Sequence, residues 1–588
     1  CYAAANSDAL NEGDFGMSHK IVSSEAAIAI IQDDDVLPTT GYGGNGVPEF
    51  LLKALEKRFV ETASPKNLTL IHSTGQGDMR EQGLNRLAHE GLIKRIIGGY
   101  YGLSPKLAQL ATENKVEAYN FPEGCILQLY RDIAAGKPGT FSKIGLGTYI
   151  DPRIEGGRMN PKTVDDLVEL VTLGGEEWLF FKSIPISVAF LRGTTADING
   201  NISIEREALV LEDLALAMAA KNSGGYVICQ VERIADAGTL PSRNIRIPGM
   251  MVDCVVVAEP EAHMQNYGTA YNPAFSGELR VPPQAVDPLP LDERKIVARR
   301  CATELRANSV INLGIGMPEG IGAVCNEERI YRYITLTADP GIVGGVPMHG
   351  LEFGAAVNAD ALLDHTTAFD FIDGSGLDIA FLGMAQADKD GNVNSSKFGK
   401  RITGCGGFIN ISQNSRKVVF IATFHAGGLG IAVENGKLQI VQEGKATKFV
   451  DSVEQITLSG DIARKNKQPV LFVTERCVLD LTDKGMELLE VAPGIDIETD
   501  ILPSLEFEPI IDDPRKMDPR LFCPAVMGLK DELLSMSLAD RIHYNQATNT
   551  IFLNFAGLRV RTPKDVNDIQ EAVESRMQAI GKRMHSVV

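Results

Sequence analysis

The sequence predicts an α/β protein: two tandem, related open α/β domains followed by a short α/β extension. Three observations predict it. The chain carries an internal repeat, its middle holds a proline-rich break, and each half alternates short apolar strands with helical stretches. The repeat is the most informative. Ala189-Phe190-Leu191 runs into Ala196-Asp197-Ile198-Asn199-Gly200-Asn201-Ile202, and Ala380-Phe381-Leu382 runs into Ala387-Asp388-Lys389-Asp390-Gly391-Asn392-Val393. Both read as a buried strand leading to an Asn-Gly or Asp-Gly turn and a second strand. Earlier in each half, Gly43-Gly44-Asn45-Gly46-Val47-Pro48-Glu49 matches Gly314-Ile315-Gly316-Met317-Pro318-Glu319. Each follows a short apolar strand (Asp35 to Leu37; Val310 to Leu313) and opens a helix with Pro and Glu in its first turn. There a missing N–H costs nothing and an acid suits the helix dipole.

The elements follow in order. Residues 1–16 are small, polar and acidic, and Met17-Ser18-His19-Lys20 comes next, so 1–16 is expected to be a leader with a native start at Met17. The first domain spans 17–280. Its strands include Leu68 to His72 and Tyr226 to Val231. Residues 281–290 hold four prolines in ten, which excludes a helix interior or a central strand and marks a linker. The second domain spans 291–535. It opens with a helical pattern over Leu291 to Ala307 and includes the strands Ile334 to Ala338, Lys417 to Ala422 and Phe408 to Ile411. Continuous apolar strands of this kind belong to sheets covered on both faces. The extension, 536–588, has a strand over Thr550 to Phe555 and an amphipathic helix over Pro563 to Gly581, suited to packing or subunit contact.

Composition narrows the function classes. The 588 residues are 44% hydrophobic and 23% charged, an ordinary globular balance. A formal charge of −19 disfavours general attraction to nucleic acid or anionic lipid. Nine cysteines without a Cys-x-x-Cys pair read as buried thiols of a reduced, cytoplasmic protein. No apolar run reaches 18 residues, so no membrane partner is expected.

Several motifs carry candidate chemistry. Gly41-Tyr42-Gly43-Gly44-Asn45-Gly46 fits the dinucleotide-binding string, but Glu61 lies before the next strand rather than at its end. The loop is better read as backbone N–H groups meeting an anionic or carbonyl oxygen. Gly404-Cys405-Gly406-Gly407 brings backbone amides close to a ligand, where they can stabilise an oxyanion. Cys405 is a possible nucleophile without a base beside it in sequence. Asp339 follows the strand Ile334 to Ala338 and precedes Pro340-Gly341-Ile342-Val343-Gly344-Gly345. A carboxylate at a strand's C-terminal end in an open α/β sheet stands where ligands bind.

With these residues in view, the chain resembles the family I coenzyme A transferases of the single-chain acetate/propionate type, from about Ser18 to Gly528. The motifs are Gly41 to Glu49, Asn120-Phe121-Pro122-Glu123-Gly124, Asn312 to Gly320, Phe369 to Asp378, Gly404 to Gly407 and Val491 to Asp496. The resemblance implies CoA transfer between an acyl-CoA and a short-chain carboxylic acid by an oligomer, a tetramer or dimer. CoA enters as a substrate, with no tightly bound cofactor and no metal. In the family's chemistry a Glu attacks the acyl-CoA carbonyl, a mixed anhydride forms, and the CoA thiolate converts it to an enzyme–CoA thioester. The matching residue here is Asp339, one methylene shorter, which draws its oxygens back by roughly 1–1.5 Å; misplacement on that scale can cost ~100-fold. Glu123 stands where the family has a Gln, and an ionised Glu cannot donate to an oxyanion. The resemblance therefore names Asp339 and Glu123 as catalytic, and Gly43, Gly44, Asn45, Gly314, Gly316, Gly404, Gly406 and Gly407 as oxyanion or CoA-binding positions. The two departures leave an alternative, an acyl-CoA hydrolase with Asp339 or Glu123 as base, and a CoA-binding protein with little catalysis beyond that.

Overall fold

The structure is a computed structural model and describes residues 20–282, 288–534, 538–555, 558, 560 and 562–588. The leader, the start at Met17, the middle of the linker and the boundary at Met536 lie outside the described residues.

In the first half, β1 (Val36–Pro38), β2 (Leu68–His72), β3 (Ile93–Gly98) and β4 (Glu117–Asn120) form a parallel sheet in that order. A second parallel sheet holds β5 (Val188–Arg192), β6 (Tyr226–Val231) and β7 (Cys254–Val257). A parallel bridge from Thr39 to Phe190 sets β5 beside β1. The second half repeats this plan. β8 (Val310–Leu313), β9 (Thr335–Ala338), β10 (Ile379–Gly383), β11 (Val418–Ile421) and β12 (Val470–Val473) pair in parallel in the order β9-β8-β10-β11-β12. Antiparallel strands flank them, Ile342–Pro347 and Ala356–Leu362 on one side, Cys477–Thr482 and Gly485–Val491 on the other.

Each sheet reverses its direction of growth at one place, β1/β5 and β8/β10. The two glycine loops that match in sequence follow β1 and β8, so each lies at the crevice outside such a switch point, where open α/β sheets bind ligands. The repeat extends to single hydrogen bonds. Asp197 Oδ1 accepts from the N–H of Asn199 and Asn201, and Asp388 Oδ1 from those of Asp390 and Asn392.

The helices that matter to the site are α1 (Glu49–Thr62), α2 (Glu123–Ala134), α3 (Glu319–Glu327), α4 (His365–Asp373) and α5 (Phe408–Asn414). The last corrects the strand expected over Phe408 to Ile411. A short apolar run does not distinguish a strand from a buried helix turn, and here Ile411 N–H donates to Gly407 O at 2.9 Å and closes the turn. The helix expected over Leu291 to Ala307 is shorter, Glu293–Ala302, because Asp292 caps it by accepting from Lys295 N–H.

Two large apolar cores fill the halves, and they interlock. Ile402, Cys405 and Ile409 of the second half join the first core, and Leu127 of the first half joins the second. The extension forms a sheet of Ile542–Asn545, Thr550–Leu553 and His585–Val587 with a helix, Pro563–Ile580. That helix has a capping box between Thr562 and Asp565 and a left-handed Gly581 at its end, and it buries none of its own side chains. Among the described residues no helix is long and apolar enough to cross a membrane.

Candidate active site

The site lies where the C-terminal ends of β3, β4, β8 and β9 meet the N-termini of α2, α4 and α5. Asn120, the last residue of β4, clamps the halves together. Its Nδ2 donates to the carbonyls of Gly98 and Gly99, each at 2.6 Å, and its Oδ1 accepts from Cys405 N–H at 2.9 Å and from the Tyr149 hydroxyl. Gly406 N–H donates to Gly99 O at 2.7 Å, and Glu123 N–H to Gly406 O at 3.0 Å. These bonds fix the Gly404–Gly407 loop of the second half across the strand ends of the first. A side chain at Gly404 is excluded twice, since its φ is +77° and a β-carbon would stand 2.7 Å from Asn120 Nδ2.

Asp339 directly follows β9. Asn312, on the neighbouring β8, donates from Nδ2 to Asp339 Oδ1 at 3.0 Å. Burial pushes the Asp339 carboxyl above its ordinary range, while the Asn312 bond and the His365 charge oppose the rise. Glu123, the first residue of α2, is almost fully buried, and Gly406 and Gly407 each lie beside one of the two carboxylates. A β-carbon on Gly406 would stand 3.6 Å from Glu123 Oε2, and one on Gly407 would stand 3.1 Å from Asp339 Oδ2. Burial lifts the Glu123 carboxyl to about 7, with the Asp339 and Glu212 charges adding to the rise against the His365 bond.

The amides sort the glycines. Gly43 N–H donates to Gly75 O at 2.8 Å, Asn45 N–H to Tyr42 O at 2.9 Å, Gly314 N–H to Phe381 O at 2.8 Å and Gly404 N–H to Ser396 O at 3.0 Å. With Gly406 already bonded, the N–H groups of these five shape the loops. Gly44, Gly316 and Gly407 keep N–H groups without an acceptor among the described residues, and of these Gly407 stands beside Asp339. Gly43 and Gly44 sit in tight packing, against Phe353 O and Tyr267 respectively, and Gly316 lies on an exposed turn. The nucleophile reading of Cys405 also fails, since burial pushes its thiol up to about 12.

Three partners escaped the sequence reading. His365, the first residue of α4, has Nε2 at 2.8 Å from Glu123 Oε1 and Nδ1 at 2.9 Å from Glu212 Oε2. Ser73 Oγ donates to Glu212 Oε1 at 2.8 Å. Burial and a helix N-terminus both oppose a cation at this place. The two carboxylates outweigh them and raise the His365 imidazolium to about 10. Tyr42 closes the site, its ring edge-on to His365 with centroids 6.0 Å apart.

A carboxylate, a free amide N–H and a buried acid–base pair around one glycine loop suit acyl transfer. The comparisons with known proteins agree. A sequence model described as Coenzyme A transferase matches residues 21–258. Caffeate CoA-transferase of Acetobacterium woodii is 45% identical over 517 residues, 87% of this chain and 98% of that protein. The chain belongs to the coenzyme A transferase family. Acetate CoA-transferase YdiF of Escherichia coli K12 is 42% identical to this transferase over 511 residues, 86% of the chain and 96% of YdiF. The crystal structure of the acyl-CoA transferase YdiF apoenzyme from E. coli O157:H7 superposes with a TM-score of 0.83 at 41% identity, covering 87% of this chain and 97% of that one. YdiF has also been solved as a thioester complex with CoA, and that structure superposes with a TM-score of 0.82 at 40% identity.

The transferase's tight packing around Asp339 gives a first test. Gly407 has φ −79°, which alanine adopts freely. Its β-carbon would press on Asp339 Oδ2 and on Phe369 Cζ, each at 3.1 Å. Gly407→Ala is expected to lower kcat by roughly 10–100-fold, the scale of loss when a side chain in an active site shifts by a fraction of an ångström to 1 Å. An unchanged melting temperature would separate this from misfolding.

Proposed function

We propose that the protein moves CoA between an acyl-CoA and a short-chain carboxylic acid, with Asp339 as the nucleophile. The observation that carries the reading is the Asp339 carboxylate at a strand end, held by Asn312 and beside Gly407, whose N–H has no acceptor among the described residues. A carboxylate is a weak nucleophile. It works when the site holds it against the thioester carbon and supplies a donor where the oxyanion develops. Asp339 attacks the acyl-CoA carbonyl, and Gly407 N–H stabilises the tetrahedral oxyanion. The CoA thiolate leaves a mixed anhydride behind and then attacks its Asp339 carbonyl, which releases the first carboxylate and forms the Asp339–CoA thioester. A second carboxylic acid reverses the steps.

Glu123 fits this scheme as a protonated carboxyl, which can donate where an ionised one cannot. Pro340 protects the activated Asp339, because the following residue has no backbone N–H to cyclise onto it. The same reading carries a cytoplasmic homo-oligomer with CoA as its exchanging partner; the buried free thiols at Cys125, Cys229, Cys254, Cys301, Cys325, Cys405 and Cys477 support a reducing compartment.

The test is intact and peptide mass after incubation with acyl-CoA. The expected result is a CoA adduct on the peptide that contains Asp339, lost when a carboxylate acceptor is added. Transfer that appears only in the Asp339→Glu/Glu123→Gln double variant would overturn the assignment.

A further inference from the structure

The Glu123–His365–Glu212–Ser73 chain has more acid–base capacity than transfer uses. His365 bonds a carboxylate through each ring nitrogen, and both bonds need a proton. The proton between His365 Nε2 and Glu123 Oε1 can sit on either atom without changing the net charge of the buried group. Glu212, fully buried and anchored by Ser73, keeps the imidazole oriented and cationic. His365 thus occupies Oε1 of Glu123, while Oε2 accepts no bond among the described residues and lies beside Gly406. Asp339 Oδ2 lies beside the next residue of the same loop, Gly407, and the two charges are close enough for Asp339 to raise Glu123. A water between the carboxylates would meet a base on one side and the carbon of the Asp339 thioester on the other.

We propose that Glu123, backed by His365 and Glu212, is a general base that activates water against the Asp339–CoA thioester, so that the protein also hydrolyses acyl-CoA when no acceptor acid is present. The proposal rests on Asp339 as the nucleophile. The water oxygen bonds to the Asp339 carbonyl carbon and passes one proton to Glu123 Oε2. The C–S bond breaks, and the departing CoA thiolate takes that proton from Glu123. The second water proton is released as the Asp339 carboxyl ionises. The net reaction is acyl-CoA and water to carboxylic acid and CoA. Glu123 and Asp339 touch the reacting atoms, and His365 and Glu212 are positioning residues.

The experiment uses the full chain with acetyl-CoA in oxygen-18 water and no acetate. The expected result is more than one equivalent of free thiol per site and oxygen-18 in the peptide containing Asp339. The decay of the adduct should accelerate as the pH rises through about 7, where Glu123 ionises. The groups that bear on that titration are His365, Asp339 and Glu212, with Cys405 and the Tyr42 hydroxyl also within the field of Glu123. Adduct decay should slow by about 100-fold in Glu123→Gln, within the range of general-base effects, and lose its rise with pH. His365→Gln, which restores one hydrogen bond without the charge, should shift that pH profile as well as slow the decay. An adduct that forms and then persists in water, or a Glu123→Gln adduct that decays like the wild type, overturns the hydrolysis alone. The absence of any adduct overturns both this and Asp339 as nucleophile.

Discussion

Asp339→Asn is expected to remove at least about 1,000-fold of the CoA-transfer rate while leaving the melting temperature equal or slightly higher. The rate falls because an amide oxygen is too poor a nucleophile to form the anhydride, and the two-step path through an enzyme-bound acyl group closes with it. The fold survives because the substitution is isosteric and the Asn312 Nδ2 bond to position 339 still finds an oxygen acceptor. Stability does not fall because a carboxyl that burial already pushes upward costs free energy to keep ionised, and an amide relieves that cost. Activity therefore moves opposite to stability, which a merely structural residue does not do. The variant is also safe from slow reversion: deamidation of Asn proceeds by attack of the next backbone N–H, and Pro340 has none. The check is a transfer assay beside a thermal melt and intact mass. Transfer above a tenth of the wild-type rate in Asp339→Asn would place the nucleophile elsewhere.

The sequence made much of this scaffold legible, and its failures have physical reasons. Strands such as Tyr226–Val231 and Val418–Ile421 were readable because a strand covered on both faces has no polar alternation to mimic a helix. The repeat was readable because Asp197 and Asp388 close the same turn with the same backbone bonds. Phe408–Asn414 was not, since a run of that length fits a strand or a buried helix turn equally well. The glycines marked where the backbone comes close, but glycine identity does not say whether an N–H is free. Gly43 and Gly407 look alike in sequence, and only the fold spends the first on Gly75 O. His365 and Glu212 were invisible for another reason. They lie far from Glu123 in the chain, and each alone reads as an ordinary residue near a helix start.

The buried Glu123–His365–Glu212 triad also sets the largest expected stability effect. His365→Leu keeps the volume roughly constant and removes the only cation bonded to these two carboxylates among the described residues. Breaking a buried pair from one side costs about 3–5 kcal/mol, because the remaining charge stays desolvated without its partner. The pH dependence fixes the cause. The folded pKa of His365 is raised to about 10 from 6.5, so its contribution is fully present below pH 6.5 and is lost as the pH rises through about 10. Glu123 is raised to about 7 from 4.5, so its burial costs nothing while it is protonated and destabilises the fold as the pH climbs from about 4.5 to 7. Both groups therefore make the wild-type protein less stable from pH 6 to pH 10. The deficit of the variant should be largest below pH 6.5, where the His365 contribution is fully present, a drop of roughly 5 °C or more in melting temperature, and should shrink as the pH rises from there toward 10. His365→Gln, which keeps a donor without the charge, should fall between the two. Melting curves across that pH range decide the matter: a deficit of the same size at pH 5 and pH 8 would mean that His365 contributes packing rather than charge, and the acid–base role of Glu123 would lose its support.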